Sequence, residues 1–237
     1  MATAHCEWGA NGVAALRSRV RALVIVDVLS FSTAVDIAVA RGAFIVPFPL
    51  GSGEAAAIAA KASGALLANP KRSAGGQYSL SPASLQAIAP GTRLLLPSPN
   101  GSRLSLAGGG AIVFAGCLRN ASAVAAASLA AAAGGDVAVI AAGERWRGDD
   151  SLRPAIEDWL GAGAILEALD LAMTAEARAA RDAFRAAKPA LAETIRDSVS
   201  GRELIDAGFA ADVELAADLD ISTAAPRLHG GVYGNGA

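Results

Sequence analysis

A chain of 237 residues with net charge −2 and an isoelectric point near 5.7 has room for one large domain. A chain this long buries roughly 70–75% of its unfolded surface and needs no disulfide or metal staple. The charge gives no electrostatic case for nucleic acid or an anionic membrane, so an anionic ligand must be held by local arginines and backbone N–H groups.

Mean hydropathy is +0.41, but the apolar content is mostly alanine and interrupted. The longest apolar helical run, 121–133, is too short to span a bilayer. The opening stretch carries His5, Glu7 and several arginines without the apolar core of a signal peptide. A cytoplasmic protein with no membrane partner is expected. Cys6 and Cys117 read as two reduced thiols in preference to a disulfide.

In chain order, residues 22–29 (ALVIVDVL) form an apolar run broken only by Asp27, which reads as a buried central strand. Ser30, Phe31, Ser32 and Thr33 supply cap chemistry for a helix to about Arg41, stopped by Gly42. Strand 43–47, an Ala-rich helix from Gly51 to about Gly64 and a short strand 65–68 follow. Residues 69–90 break the rhythm, and 69–76 have loop composition. Strands 93–96, 111–115 and 136–141 come next, with a helix over 120–133. Beyond 142 the pattern is mostly helical: 151–169, 174–187, 189–198 and a short helix from Ser200. The Gly-rich tail 226–237 is expected to fray. Strands alternating with helices predict one α/β domain over 1–237: three layers, α/β/α, on a largely parallel or mixed sheet, with a helical C-terminal third.

In open α/β sheets, ligands bind outside the carboxyl ends of the strands. Those ends hold Asp27 and Ser30; Ser98 to Arg103; Cys117 to Asn120; and Gly143 to Arg147. Acids, amides, hydroxyls and arginines thus collect at one predicted edge. Asp27 interrupts a strand that wants burial, and a buried carboxylate needs a partner or a metal. It reads as a magnesium ligand, or as a cap on the next helix. The two-proline turn 98–102 with Asn100 and Gly101 could face a phosphate, or be an ordinary turn. Arg119 suits phosphate or sulfonate, while Asn120 could simply cap its helix. Glu157 and Asp158 lie in an otherwise apolar helix. Adjacent helical residues point about 100° apart, so one ligand and one capping acid is the economical reading. His5 and His229 have no zinc-spaced partner, and there is neither a dinucleotide fingerprint nor a P-loop lysine.

Several segments carry a resemblance: residues 27–33 (DVLSFST), 96–102 (LPSPNGS), 117–121 (CLRNA), 141–143 (AAG), then Ile156, Glu157, Asp158 with Gly161 to Ala164. Ser200 to Leu204, Gly208, Phe209, Asp212 and Val213 complete it. In these, in order over about 7–228, the chain resembles the 2-phosphosulfolactate phosphatase family. The resemblance implies Mg²⁺-dependent hydrolysis of a small anionic phosphoester in coenzyme M biosynthesis. It carries over onto Asp27, Asn100, Gly101, Ser102, Asn120, Gly143, Glu157 and Asp158. With the strand-end residues this gives a candidate site. Asp27, Asn100, Ser102, Arg119, Asn120 and Arg145 are expected to act catalytically, and Ser30, Ser32, Gly101 and Gly143 to bind substrate. Asp27, Glu144, Glu157 and Asp158 are the candidate magnesium ligands. Ser30 stands where many family members have arginine, and 68–82 lacks a family carboxylate and amide. A member that binds a small anion without turnover is the alternative, and a homodimer is the default assembly.

Overall fold

The computed structural model describes residues 1–72 and 78–236. Its strands are, in chain order, β1 (Thr3–Trp8), β2 (Ala22–Val26), β3 (Phe44–Pro49), β4 (Leu66–Leu67), β5 (Arg93–Ser98), β6 (Ile112–Gly116), β7 (Val137–Ala141), β8 (Glu144–Arg145), β9 (Leu152–Arg153), β10 (Ala172–Met173), β11 (Pro226–His229) and β12 (Val232–Asn235). One ten-stranded sheet runs β10-β1-β7-β2-β6-β11-β12-β3-β5-β4, and β8 with β9 forms a separate ribbon.

Every residue of β2 and β7 is buried, as their unbroken apolar runs require of central parallel strands. Ala22, Val24 and Val26 face one core, shared with Val124, Ile165 and Phe184 of the helices Ala121–Ala132, Ile156–Ala168 and Ala175–Ala187. Leu23 and Ile25 face the other core, with Val35, Ile45, Leu94, Leu96 and Tyr233. The fold is three-layered α/β.

The strands fall into two parallel blocks. β10, β1, β7, β2 and β6 run one way, and β3, β5 and β4 are parallel to one another. The antiparallel hairpin β11–β12 joins the blocks, pairing antiparallel with β6 on one side and with β3 on the other. Three antiparallel steps reverse the second block relative to the first. The helix Phe31–Ala40, buried from Phe31 to Val39, packs on strands of both blocks, against Leu23 and Ile25 of one and Ile45 and Leu94 of the other. The residues following β5 therefore still meet those following β2.

Residues 226–235, expected to fray, are instead this hairpin. Gly230 and Gly231 take φ of +56° and +80° at its turn, and Tyr233 is fully buried with its hydroxyl on Ser105 Oγ at 2.7 Å. The N-terminal segment is also ordered: Ala4 and Cys6 alternate inward along β1, and the helix Gly9–Leu16 follows. Cys6 and Cys117 are free and buried. The helix expected from 151 starts at Ile156, because Leu152 and Arg153 pair with Arg145 and Glu144. Within 69–90, Pro82–Leu85 forms a helical turn, while 73–76 of the expected loop lies outside the described residues. Among the described residues no helix is long and apolar enough to cross a membrane.

Candidate active site

The chain leaves β2 at Asp27, 6% exposed. Its Oδ1 accepts the Phe31 N–H at 3.2 Å and its Oδ2 the Gly101 N–H at 2.8 Å. One carboxylate thus receives the first turn of the helix after β2 and that of Gly101–Leu106 after β5, where helix dipoles favour negative charge. Gly101 is required there: a Cβ would lie 2.2 Å from the Phe31 ring and 2.8 Å from Asp27 Oδ2.

Asp158 ties β2 to β7 in the same manner. Its Oδ1 accepts Val28 N–H at 2.7 Å and its Oδ2 accepts Gly143 N–H at 2.8 Å. Gly143 has φ +67°, and a Cβ would meet Leu152 at 2.6 Å. Glu144 follows, its Oε2 accepting from Asn100 Nδ2 at 3.0 Å. Glu157, 2% exposed, accepts no hydrogen bond from any described residue. Trp159 stacks on Trp8 at 5.3 Å, fixing the start of this helix against the end of β1.

Three of these acids are raised, with Glu157 contributing to each. Burial pushes Asp27 up to about 6, against the pull of the Phe31 and Gly101 N–H groups, with Glu157 adding repulsion. Burial, then Asp27 and Glu157, push Glu144 up to about 7. Asp158 is raised well above the usual carboxylate range by burial first, then by Asp27 and Glu157. Buried carboxylates raised beside like charges are a functional-site signature.

A cleft of about 320 Å³ opens beside the Asn100–Glu144 pair. Trp8, Gly9, Asn11, Asn100, Arg103 and Arg145 are among its lining residues. Arg145 is held by Asp150, Nη1 to Oδ2 at 2.7 Å, which leaves most of its donors unspent.

Of the residues singled out in the sequence, Asp27, Asn100, Gly101, Gly143, Glu144, Glu157 and Asp158 are thus brought together. Others serve the scaffold. Arg119 donates to Asp36 Oδ2 at 3.0 Å, Asp218 Oδ2 at 3.0 Å and the Leu215 carbonyl at 2.9 Å. Its guanidinium is committed to a buried tie. Asn120 is fully buried, accepting Cys117 N–H and donating to the Ala115 and Ala224 carbonyls. Ser102 Oγ donates to Leu96 O. Ser32 Oγ donates to Ile25 O and accepts Asp27 N–H. Polar residues at strand ends satisfy backbone as readily as ligands. Ser30 differs: its hydroxyl is buried without a partner, three residues after Asp27.

Arg72 had no sequence signal beyond its charge. Its Nη1 bonds Asp212 Oδ2 at 2.7 Å, its guanidinium lies over Phe209 at 5.6 Å, and its charge lowers the pKa of Asp27. Residue 72 thus carries a cation, held by Asp212, whose charge reaches Asp27.

Among the described residues, no three acidic, histidine or cysteine side chains are arranged as a ready metal cage. Magnesium does not require one, since one or two carboxylates with water and substrate phosphate suffice. Glu157, buried and with no hydrogen-bond partner among the described residues, is the donor such an ion would satisfy.

The model of the 2-phosphosulpholactate phosphatase family matches residues 14–231. A protein of Carboxydothermus hydrogenoformans described as a probable 2-phosphosulfolactate phosphatase is 32% identical over 218 residues, covering 88% of this chain and 87% of the relative.

Proposed function

The chain belongs to the 2-phosphosulfolactate phosphatase family, and from that premise we propose that it hydrolyses 2-phosphosulfolactate to sulfolactate and phosphate with Mg²⁺, in coenzyme M biosynthesis. Membership makes it a phosphatase, a phosphoric monoester hydrolase. The observation that carries the finer reading is a cluster of buried carboxylates with raised pKa values, linked through the Asn100–Glu144 bond to the wall of a cleft that Arg103 and Arg145 line. A doubly anionic phosphoester needs both: cations at one end, and a polarising centre at the other.

Asp27 and Glu157 would hold Mg²⁺, which supplies charge neutralisation to the phosphoryl oxygens. Asp158, which like Asp27 accepts one backbone N–H on each oxygen, is assigned a positioning role, tying Val28 to Gly143. Glu144, oriented by the Asn100 amide and titrating at about 7, is matched to proton exchange near neutrality. Ionised, it takes the proton of the attacking water; protonated, it returns one to the leaving alkoxide oxygen. Arg72 offsets charge developing on the phosphoryl group. Arg103 and Arg145 hold the second anionic group in the cleft.

The test is phosphate release from 2-phosphosulfolactate and a panel of small phosphoesters, with Mg²⁺ and with EDTA. Chelator-sensitive release that falls when the second anionic group is deleted is expected. Folded protein that releases no phosphate from any of them with Mg²⁺ present sinks the reading.

A further inference from the structure

On its outward face, the second block carries a basic hollow that the hydrolytic site does not use. The pairing register places Phe44 beside Arg93, Arg227 beside Gly234 and His229 beside Val232. Alternation then sends all of these away from the core that holds Ile45, Leu94, Leu228 and Tyr233. The helix Gly53–Ala62 covers the same face further along, packing Ala56 and Ala60 on Leu95, Val46 and Phe48. It leaves the starts of β3 and β5 and the hairpin uncovered. There the surface forms a cavity of about 550 Å³ lined by Phe44, Arg93, Arg227 and His229 over a floor of Gly230, Gly234 and Gly236.

Two guanidinium groups share this hollow, and none of its described lining residues carries a side-chain carboxylate. Like charges gathered without a counter-charge are unfavourable unless an anion joins them. Arg227 Nε is a second, independent sign: it is buried with no hydrogen-bond partner, a donor whose desolvation is uncompensated. The cavity exceeds the needs of a single inorganic ion and falls in the range of small-metabolite sites. Phe44 lies against the bare backbone of Gly234, where a Cβ would meet its ring at 3.3 Å, and remains 41% exposed. It offers a face to a planar ring.

We infer that this hollow binds a phosphate-bearing ligand with a planar ring, of mononucleotide size, its phosphate between Arg93 and Arg227 and its ring against Phe44. The site lies across the sheet from the core around the helix Phe31–Ala40, so it is an effector or accessory site and stands independently of the hydrolytic reading.

The probe is AMP, titrated by calorimetry into the full chain in EDTA, beside the variants Arg93→Glu, Arg227→Ala and Glu157→Gln. Saturable binding is expected, weakened about tenfold or more by Arg93→Glu and by Arg227→Ala and unchanged by Glu157→Gln. Arg93 is exposed, so its variant keeps the fold even where loss of Arg227 disturbs the hairpin. No binding at millimolar AMP overturns the inference. So does binding that Glu157→Gln abolishes and Arg93→Glu leaves intact, because that is the hydrolytic site.

Discussion

Glu157 is an ionisable group held at 2% exposure with no described hydrogen-bond partner, among three other acids. Glu157→Gln removes one charge from that cluster and keeps the volume. In EDTA its melting temperature should equal or exceed that of the parent, since repulsion is relieved, while turnover falls about 100-fold or more. A variant that melts lower in EDTA and keeps its turnover would return Glu157 to the scaffold. At this scale the sequence was readable wherever a charge broke an apolar pattern, as at Asp27 in its strand and at Glu157 and Asp158 in their helix. It was unreadable where polar residues answer to local backbone, as Ser102 and Asn120 do. Arg72 escaped notice for another reason. Its partner Asp212 is 140 residues away, and only the folded chain brings the two together.

The elements that build the site are joined at their ends by carboxylates, so the joints are stiffer than the loops around them. Gly101→Ala tests this. The added methyl has only the Phe31 ring and Asp27 Oδ2 to displace, which forces the turn away and costs about 1–3 kcal/mol. Urea unfolding should show that loss together with a sharp fall in turnover, and unchanged activity would mean that the Gly101–Asp27 bond does not organise the centre. Strands with unbroken apolar runs, such as β2 and β7, could be placed from composition alone. β1 and the terminal hairpin could not, because their alternation is short and their residues are His, Glu, Gly and Asn, the vocabulary of loops. What makes them strands is edge pairing with β7, β6 and β3, a tertiary cause that propensity does not carry.

For the whole molecule, the acid cluster makes stability depend on pH in a defined direction. Asp27, Glu144 and Asp158 all bind protons more tightly folded than unfolded. Their contribution is fully present below the ordinary carboxylate range and is lost as pH rises through about 6 for Asp27 and about 7 for Glu144. In EDTA the melting temperature should therefore drop between about pH 5 and pH 8, at about 2–4 °C per kcal/mol for a chain this long. Mg²⁺ should restore it at the higher pH and do little at the lower one, where protons compete. A melting temperature that rises over this interval in EDTA would contradict the coupling of these acids. The sheet order has a further consequence for how the chain is made. Every other strand precedes the hairpin β11–β12 in sequence, yet the hairpin sits between β6 and β3. During synthesis those two strands must wait with facing edges unpaired, and an unpaired edge invites association with other chains. A ribosome that stops short of residue 226 thus releases a polypeptide with two sticky borders, and translation must pass the hairpin before the protein is safe from its neighbours.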